Sequence, residues 1–200
     1  MKKAWLCLVL MLLSASVSAL EWPPVKGKPF PDLELINQDG KKIHLTDFKG
    51  KVILVEVVGM TCPACNAFSG GRTRGGYQNA QLQADLFAIE TYIPKYAGVK
   101  WNDPRVIFVQ ILLFGTDMKT PSATDARKWA AHFDFKTEQQ EYVFASTDVF
   151  LNPANYKASF AMIPGFFLVD KNFVVRSDST GHRPKDSLYE YLLPMIPKLF

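Results

Sequence analysis

A strongly apolar, β-branched run that leads straight into a pair of cysteines is the feature that most constrains this chain. Residues 51–58 read Lys-Val-Ile-Leu-Val-Glu-Val-Val and lie between two glycines, which is typical of a strand buried on both faces of a sheet. Cys62 and Cys65 follow at the start of a predicted helix, with one proline and one alanine between them. We therefore expect a buried central strand whose carboxyl end carries two thiols.

A cysteine at the N-terminus of a helix is chemically activated. The unpaired backbone amides of the first helical turn carry partial positive charge, which favours the thiolate form and lowers the pKa of the thiol. Two intervening residues allow the second thiol to reach back and displace a mixed disulfide. We predict that Cys62 attacks, that Cys65 resolves, and that the pair forms a redox-active disulfide.

The same spacing also occurs in half of a zinc site and in simple structural disulfides. A zinc site usually needs four ligands, but His44, His132 and His182 are scattered along the chain rather than paired. A disulfide that closes so small a loop stabilises a fold weakly. Redox chemistry is the favoured interpretation, and it requires no metal and no other cofactor.

The N-terminus has the layout of a secretory signal peptide. Two lysines precede an apolar run at residues 4–13, and a stretch of small residues then ends at Ala19. We predict that residues 1–19 are removed after Ala19, which also removes Cys7 and leaves a domain of residues 20–200 in the periplasm or secreted. The alternative is an uncleaved membrane anchor, although the run is short for a bilayer span.

Composition and charge narrow the class of partner. The 200 residues are 48% hydrophobic and 21% charged, as expected of one globular domain with a substantial core. Lysine and arginine number 23 against 19 acidic residues, and two of the lysines belong to the predicted leader. No dense basic face is left for nucleic acid, which we exclude as a partner.

The remaining pattern predicts alternating strands and helices. We predict strands at 33–36, 42–45, 51–58, 105–114, 142–145, 165–169 and 173–176. We predict helices just after the dithiol and at 79–96, 120–133 and 186–196. Four glycines within 69–76 should break any helix there. This order indicates an α/β fold in which helices cover a mixed sheet.

Several separated motifs resemble one known family. Residues 27–35, together with 38–41 and 45–51, look like its entry segment, and residues 163–170 (Ile-Pro-Gly-Phe-Phe-Leu-Val-Asp) look like its proline loop. On these motifs the chain resembles the thioredoxin-like thiol-disulfide oxidoreductases, in particular the exported TlpA/ResA type, which is related to the AhpC/TSA redoxins. The resemblance implies a thioredoxin-like mixed β-sheet flanked by helices, with an N-terminal β-hairpin.

The resemblance also implies how a partner protein is held at the dithiol. In that family the proline before the late strand is cis and lies against the cysteines, so we expect a cis Ile163–Pro164 bond. The resulting turn would let the backbone beside Ile163 pair with an extended partner segment above Cys62. Thr61 and Pro63, on either side of Cys62, complete the expected substrate-binding residues.

One acidic residue interrupts the buried run. Glu56 stands six residues before Cys62, the spacing at which thioredoxins carry a buried aspartate. Burial should raise the pKa of this carboxyl group, so that it can accept a proton from Cys65 and return it. The alternative is that Glu56 lies at a polar rim or contacts Lys51.

The chain also departs from the family pattern. Thr61 occupies the position just before the first cysteine, where the family usually has tryptophan, so its substrate contacts do not transfer directly. Residues 69–76 look like an insertion beside the dithiol. Two arginines in it, Arg72 and Arg74, are open to two interpretations: recognition of an acidic or anionic partner, or a solvated flexible loop, which is favoured.

The leading functional hypothesis is an exported thiol-disulfide oxidoreductase that exchanges disulfides with partner proteins through its Cys-Pro-Ala-Cys dithiol. The resemblance favours a reductant, which would need an electron donor at the membrane. One alternative is a peroxiredoxin-like peroxidase, because Thr61-Cys62 is similar to the threonine and cysteine of that family. Another is a copper-binding assembly factor that adds His182 or His132 to the two thiolates.

Overall fold

The structure is a computed structural model and describes residues 22–181 and 186–200. The predicted signal peptide, residues 1–19, and its cleavage after Ala19 lie outside the described residues, as does His182. Within the described part of the chain, no helix is long and apolar enough to cross a membrane.

Seven strands form one mixed sheet in the order β2-β1-β5-β4-β3-β6-β7. The strands are β1 (Glu34–Asn37), β2 (Lys42–His44), β3 (Val52–Gly59), β4 (Val106–Phe114), β5 (Glu141–Ala145), β6 (Gly165–Val169) and β7 (Val175–Thr180). β3 is parallel to β4, and β4 is parallel to β5, whereas the other neighbouring pairs are antiparallel. The predicted mixed sheet and its N-terminal hairpin, β1–β2, are confirmed.

Short helices cover both faces of the sheet. They are α1 (Pro63–Phe68), α2 (Gly71–Arg74), α3 (Ile89–Tyr92), α4 (Ala123–Phe133), α5 (Tyr156–Ala161) and α6 (Leu193–Met195). A π-helical turn at Ile93–Ala97 continues α3, and α6 is flanked by a π-helical turn at Leu188–Leu192 and a 3-10 turn at Ile196–Leu199. Further 3-10 turns lie at Leu45–Phe48, Tyr77–Asn79, Thr137–Gln139 and Asp148–Phe150.

The central strand β3 is buried along its whole length, as the apolar run predicts. Because side chains alternate across a strand, Val55 and Val57 pack into the core on one face of the sheet. Leu54 packs into the core on the opposite face together with residues of α1 and of the C-terminal helix. Glu56 follows the same alternation as Leu54 and therefore lies on the face that α1 covers.

The predicted helix at 79–96 is wrong over its first half. Residues 80–88 are not helical, and the helical part spans Ile89–Ala97. The N–H of Gln83 donates to the carbonyl of Pro63 in α1 at 3.2 Å, and Arg72 Nε donates to the carbonyl of Leu86 at 2.6 Å. Contacts to the preceding helices thus replace the local helical hydrogen bonds that the apolar spacing favours.

The glycine-rich stretch contains a helix that the sequence analysis did not allow. Gly71–Arg74 forms one helical turn, α2, between Gly70 and Gly75, whose φ angles are 107° and 81°. Only glycine adopts such angles easily. The glycines therefore bound a short helix rather than abolish it.

Two further elements differ from the expectation near the proline loop. α5 (Tyr156–Ala161) was not predicted, although Asn152 Oδ1 accepts a hydrogen bond from the N–H of Asn155 at 3.0 Å, a turn that commonly precedes a helix. The last strand lies at Val175–Thr180 rather than 173–176, because Phe173 occupies the turn with a φ of 67°. It still pairs antiparallel with β6, as predicted.

The first residue of β6 lies too close to its neighbours for any side chain. A Cβ atom on Gly165 would lie 2.6 Å from Thr180 Cα and would also clash with the carbonyl of Met162. We expect Gly165→Ala to lower the free energy of unfolding by roughly 2 kcal/mol or more, measured by urea denaturation. In the control Gly59→Ala, the new Cβ would meet the Ile163 side chain at 3.4 Å and Cys62 Cβ at 3.7 Å, which are not clashes of this severity. An equal loss in both variants would contradict this explanation.

Candidate active site

The two cysteines occupy very different environments at the end of β3. Cys62 is the N-cap of α1, and its Sγ accepts a hydrogen bond from the N–H of Cys65 at 3.3 Å. Proline at position 63 takes the first helical position, where a missing N–H costs nothing. Cys62 is partly exposed, whereas Cys65 is fully buried. Only the first thiol is thus open to a partner.

The environments shift the two pKa values in opposite directions. The hydrogen bond from the Cys65 thiol and those from the backbone N–H groups of Cys65 and Ala64 lower the pKa of Cys62 to about 7, against the effect of its partial burial. Burial raises the pKa of Cys65 well above its usual range. At pH 7 about half of Cys62 is therefore thiolate, whereas Cys65 keeps its proton. This asymmetry is the one that the predicted roles require.

A buried asparagine holds the loop that carries the dithiol. Asn66 Nδ2 donates to the carbonyls of Met60 and Cys62, each at 3.0 Å, and its Oδ1 accepts from the N–H of Tyr77 at 2.8 Å. Asn66 is not among the site residues predicted from the sequence. A polar side chain directly after the second cysteine, on a helix that must be buried, was the signal that could have identified it.

Glu56 is fully buried, as expected, and does not contact Lys51. Its Oε2 accepts a hydrogen bond from Gln110 Nε2 at 2.7 Å, whereas Lys51 Nζ donates to Gln140 Oε1 at 2.9 Å. Desolvation raises the pKa of Glu56 to about 8 despite the bond from Gln110. Oε1 has no hydrogen-bond partner among the described residues.

Gln110 connects this carboxyl group to two other buried side chains. It lies opposite Glu56 in the β3–β4 register, and its Nε2 also lies 2.8 Å from Ser69 Oγ. Its Oε1 accepts from Trp129 Nε1 at 2.8 Å. The sequence analysis did not identify Gln110, although it is the one polar residue inside the apolar run at 106–114.

A cleft of about 400 Å³ opens at Cys62. Four of the residues that line it are those predicted to bind a partner: Thr61, Pro63, Ile163 and Pro164. The other lining residues are Cys62 itself and Gly59, Ala64, Gln83, Phe114, Met118 and Phe160, so the Cys62 thiolate is the one charge that the lining residues can carry. The Ile163–Pro164 peptide bond is cis, as the resemblance implies. Cys65 and Glu56 do not line the cleft but lie buried below it.

The two arginines of the glycine-rich stretch do not reach this cleft. The guanidinium of Arg72 packs over the ring of Phe87 at 4.4 Å, and Arg74 Nη2 lies 3.5 Å from Asp134 Oδ2. Both side chains thus hold neighbouring segments together rather than form a free anion-binding site. Both arginines are solvent-exposed, as the favoured interpretation expects, but they lie in the helical turn α2 rather than in an irregular loop.

His132, one of the two histidines considered as a third copper ligand, does not lie at the dithiol. His132 Nε2 lies 2.9 Å from the carbonyl oxygen of Gly75, and its ring packs edge-on against Tyr77. Among residues 22–181 and 186–200, no three His, Cys, Asp or Glu side chains are grouped so that they could hold a metal ion. The other candidate, His182, lies outside the described residues.

The fold and the site together define a class of protein. A mixed sheet of thioredoxin-like topology, a partly exposed activated cysteine and a buried second cysteine are the parts of a thiol-disulfide oxidoreductase. The chain belongs to the Redoxin family, whose model matches residues 25–193. The resemblance to TlpA/ResA-type proteins is consistent with this family.

Solved structures agree on the fold. A candidate protein disulfide isomerase from Bacteroides thetaiotaomicron has a TM-score of 0.55 and 16% identity, with 90% of this chain and 93% of that chain covered. A SCO1/SenC family lipoprotein from Bacillus anthracis str. Ames has a TM-score of 0.54 and 18% identity over 90% and 99%. A thiol:disulfide interchange protein from Bacteroides sp. has a TM-score of 0.52 and 17% identity over 88% and 90%. The comparison with curated protein sequences finds no match.

The buried carboxyl group makes a testable contribution to stability. The folded pKa of Glu56 is raised to about 8, so the folded state holds a proton that the unfolded state releases above a pH of about 4.5. Unfolding stability should therefore fall as pH rises from 5 to 7, by about 2 kcal/mol from this group. Urea denaturation of reduced Glu56→Gln should lack this loss, while the exposed control Glu138→Gln should retain it. The same pH dependence in both variants would contradict the assignment.

Proposed function

We propose that this protein is an exported thiol-disulfide oxidoreductase that reduces disulfides in partner proteins. The observation that carries the proposal is the pairing of an activated Cys62, open to an uncharged cleft, with a Cys65 buried directly behind it. Such a pair favours attack on an external disulfide by the first thiol and closure by the second.

The exchange takes place in two steps. The Cys62 thiolate attacks one sulfur of a partner disulfide, so that a mixed disulfide forms and the other partner sulfur leaves as a thiolate. Cys65 then gives its proton to the ionised form of Glu56 and attacks Cys62 Sγ, and the second partner sulfur leaves as a thiolate. Two electrons pass from the dithiol to the partner, and the Cys62–Cys65 disulfide is the oxidised product.

Recognition of the partner is assigned to the walls of the cleft. Thr61, Pro63, Ile163 and Pro164 are proposed to contact the partner segment around its cysteine. Beside them Phe160 and Met118 are 54% and 40% exposed, which is unusual for large apolar side chains. An uncharged cleft with an apolar rim fits an extended partner segment with apolar side chains beside its disulfide.

The direction of electron flow follows from how strongly the thiolate is stabilised. A very low pKa of the attacking cysteine stabilises the reduced form and makes a dithiol an oxidant. The pKa of Cys62 is lowered only to about 7. This moderate shift supports a reductant, and a reductant in an oxidising compartment needs a donor of two electrons. The proposed location after removal of residues 1–19 makes a membrane electron donor the natural source.

Trapping tests the proposed reaction directly. Cys65→Ser should accumulate mixed disulfides between Cys62 and its partner proteins, because the second thiol is no longer there to release them. The complexes are measured by non-reducing gel electrophoresis and mass spectrometry of the exported fraction. In the control Cys62→Ser, Cys65 remains buried and should trap nothing. Equal trapping by both variants would show that Cys62 is not the attacking thiol.

The redox potential tests the direction. Equilibration of the Cys62/Cys65 pair with glutathione or dithiothreitol buffers should give a value closer to about −270 mV than to about −120 mV. The first value is that of a typical reducing dithiol, and the second is that of a strong oxidant. A result near the second value would reverse the proposed electron flow and leave the exchange chemistry in place.

A further inference from the structure

The orientation of the Gln110 amide is fixed by a neighbour that can only donate. Trp129 Nε1 is a donor without acceptor capacity, and it lies 2.8 Å from Gln110 Oε1. The carbonyl oxygen of the amide must therefore face Trp129. The NH₂ group faces the opposite way, toward Glu56 and Ser69, and a flipped amide would place two donors against each other.

This orientation determines what each oxygen of Glu56 does. Gln110 Nε2 lies 2.7 Å from Glu56 Oε2 and 2.8 Å from Ser69 Oγ, so both amide hydrogens are engaged. Oε2 is thus held as an acceptor in both protonation states. When the carboxyl group is neutral, its proton is left to Oε1, which is buried and has no hydrogen-bond partner among the described residues.

The helix that carries the dithiol lies over this group. Ser69 follows Cys65 by four residues, so the two side chains lie on the same face of the helical turn. The bond from Gln110 to Ser69 therefore anchors that face to the sheet beside Glu56. The charge of Glu56 raises the pKa of Cys65, and the charge of Cys62 raises that of Glu56.

Few ionisable groups act on Glu56 from the elements packed around it. Those that do among the described residues are the two thiols at the start of α1. Its neighbours in register on β4 and β6, Gln110 and Phe166, carry no charge. A proton that leaves or enters Glu56 is therefore coupled to the dithiol rather than to a network of other charges.

We infer that Gln110, oriented by Trp129, is a positioning residue that keeps Glu56 Oε2 occupied and leaves Oε1 to exchange the proton with Cys65. The inference rests on the proposed function. As Cys65 Sγ forms its bond to Cys62 Sγ and the partner sulfur leaves with the electron pair of the broken bond, the Cys65 proton moves to Oε1 of ionised Glu56. It returns to Cys65 when the disulfide is reduced, and Gln110 keeps the same hydrogens throughout.

The test follows one step of the exchange, with glutathione disulfide as the probe. Reduced protein is mixed with glutathione disulfide, and acid-quenched samples are analysed by mass to follow the Cys62–glutathione mixed disulfide as it converts to the Cys62–Cys65 disulfide. In the unmodified protein the rate of this conversion should rise with pH through the titration of Glu56 near pH 8.

The informative variant is Gln110→Met, which keeps the length of the side chain and removes the donor. Because the lost hydrogen bond favours ionised Glu56, the inflection should move upward by about one pH unit. The conversion rate at pH 7 should fall roughly tenfold. Trp129→Phe, which keeps the ring and removes only its N–H, should shift the inflection in the same direction by less. It also provides the test if Gln110→Met does not fold.

The matched control is Gln38→Met. Gln38 is another buried amide at the sheet, where its Nε2 donates to the carbonyl of Glu141 at 2.7 Å and its Oε1 accepts from the N–H of Val143 at 2.8 Å. It lies away from the cleft and the dithiol, so its loss should lower stability and leave the inflection unchanged. A shift in this control equal to that in Gln110→Met would overturn the inference.

The double variant separates this inference from the proposed function. If Gln110 acts through Glu56, adding Gln110→Met to Glu56→Gln should change the pH profile no further. If Glu56→Gln abolishes the inflection and Gln110→Met leaves it in place, the inference fails and the proposed function stands. If Glu56→Gln itself leaves the profile unchanged, proton transfer by Glu56 fails, and the inference fails with it.

Discussion

The desolvation of Glu56 in the middle of β3 controls how the surrounding polar groups are arranged. An isolated carboxylate in an apolar interior is costly, so the group is either neutral or supplied with donors. Here the pKa is raised to about 8, and a single amide donates to one of its oxygens. That amide in turn requires Trp129 on its other side. One acidic side chain in a buried strand thus accounts for Gln110 on β4 and for its bonds to Ser69, just after α1, and to Trp129 on α4.

The dithiol depends on the same sheet for its asymmetry. β3 ends at Gly59 and α1 begins at Pro63. Cys62 therefore lies at the surface, and Cys65, about one helical turn later, faces the core. The two thiols, three positions apart in the sequence, thus differ in exposure: the first is partly exposed and the second is fully buried. Since burial penalises the thiolate and nearby N–H groups favour it, the two pKa values separate, and the charges of Cys62 and Glu56 raise the pKa of Cys65 further. The two thiols do not ionise together, which is what the proposed roles of attacker and resolver require.

The sequence predicts those features of this protein that depend on residues near one another in the chain. The buried strand, the activated cysteine at a helix start and the buried Glu56 all follow from residues close together in sequence. Gln110 does not, because it meets Glu56 only through the pairing of two strands that lie 54 residues apart. Residues 80–88 have helical spacing but are held in a non-helical conformation by contacts to α1 and α2, which outweigh an intrinsic preference of a few tenths of a kcal/mol per residue.

The residues that line the cleft lie on different elements from Glu56 and Gln110, which are buried beneath it. Its walls come from the loop after β3, the segment after β4 and the end of α5, whereas Glu56 and Gln110 sit on paired strands of the sheet. Residues on connecting segments can change without disturbing the core. A change at Glu56 or Gln110 instead leaves a buried polar group without its hydrogen-bond partner. Thr61 at the position where the family usually has tryptophan belongs to the first kind of change. It changes a residue that lines the cleft and leaves Glu56 and Gln110 in place, so under the proposed function the choice of partner can vary independently of thiol chemistry.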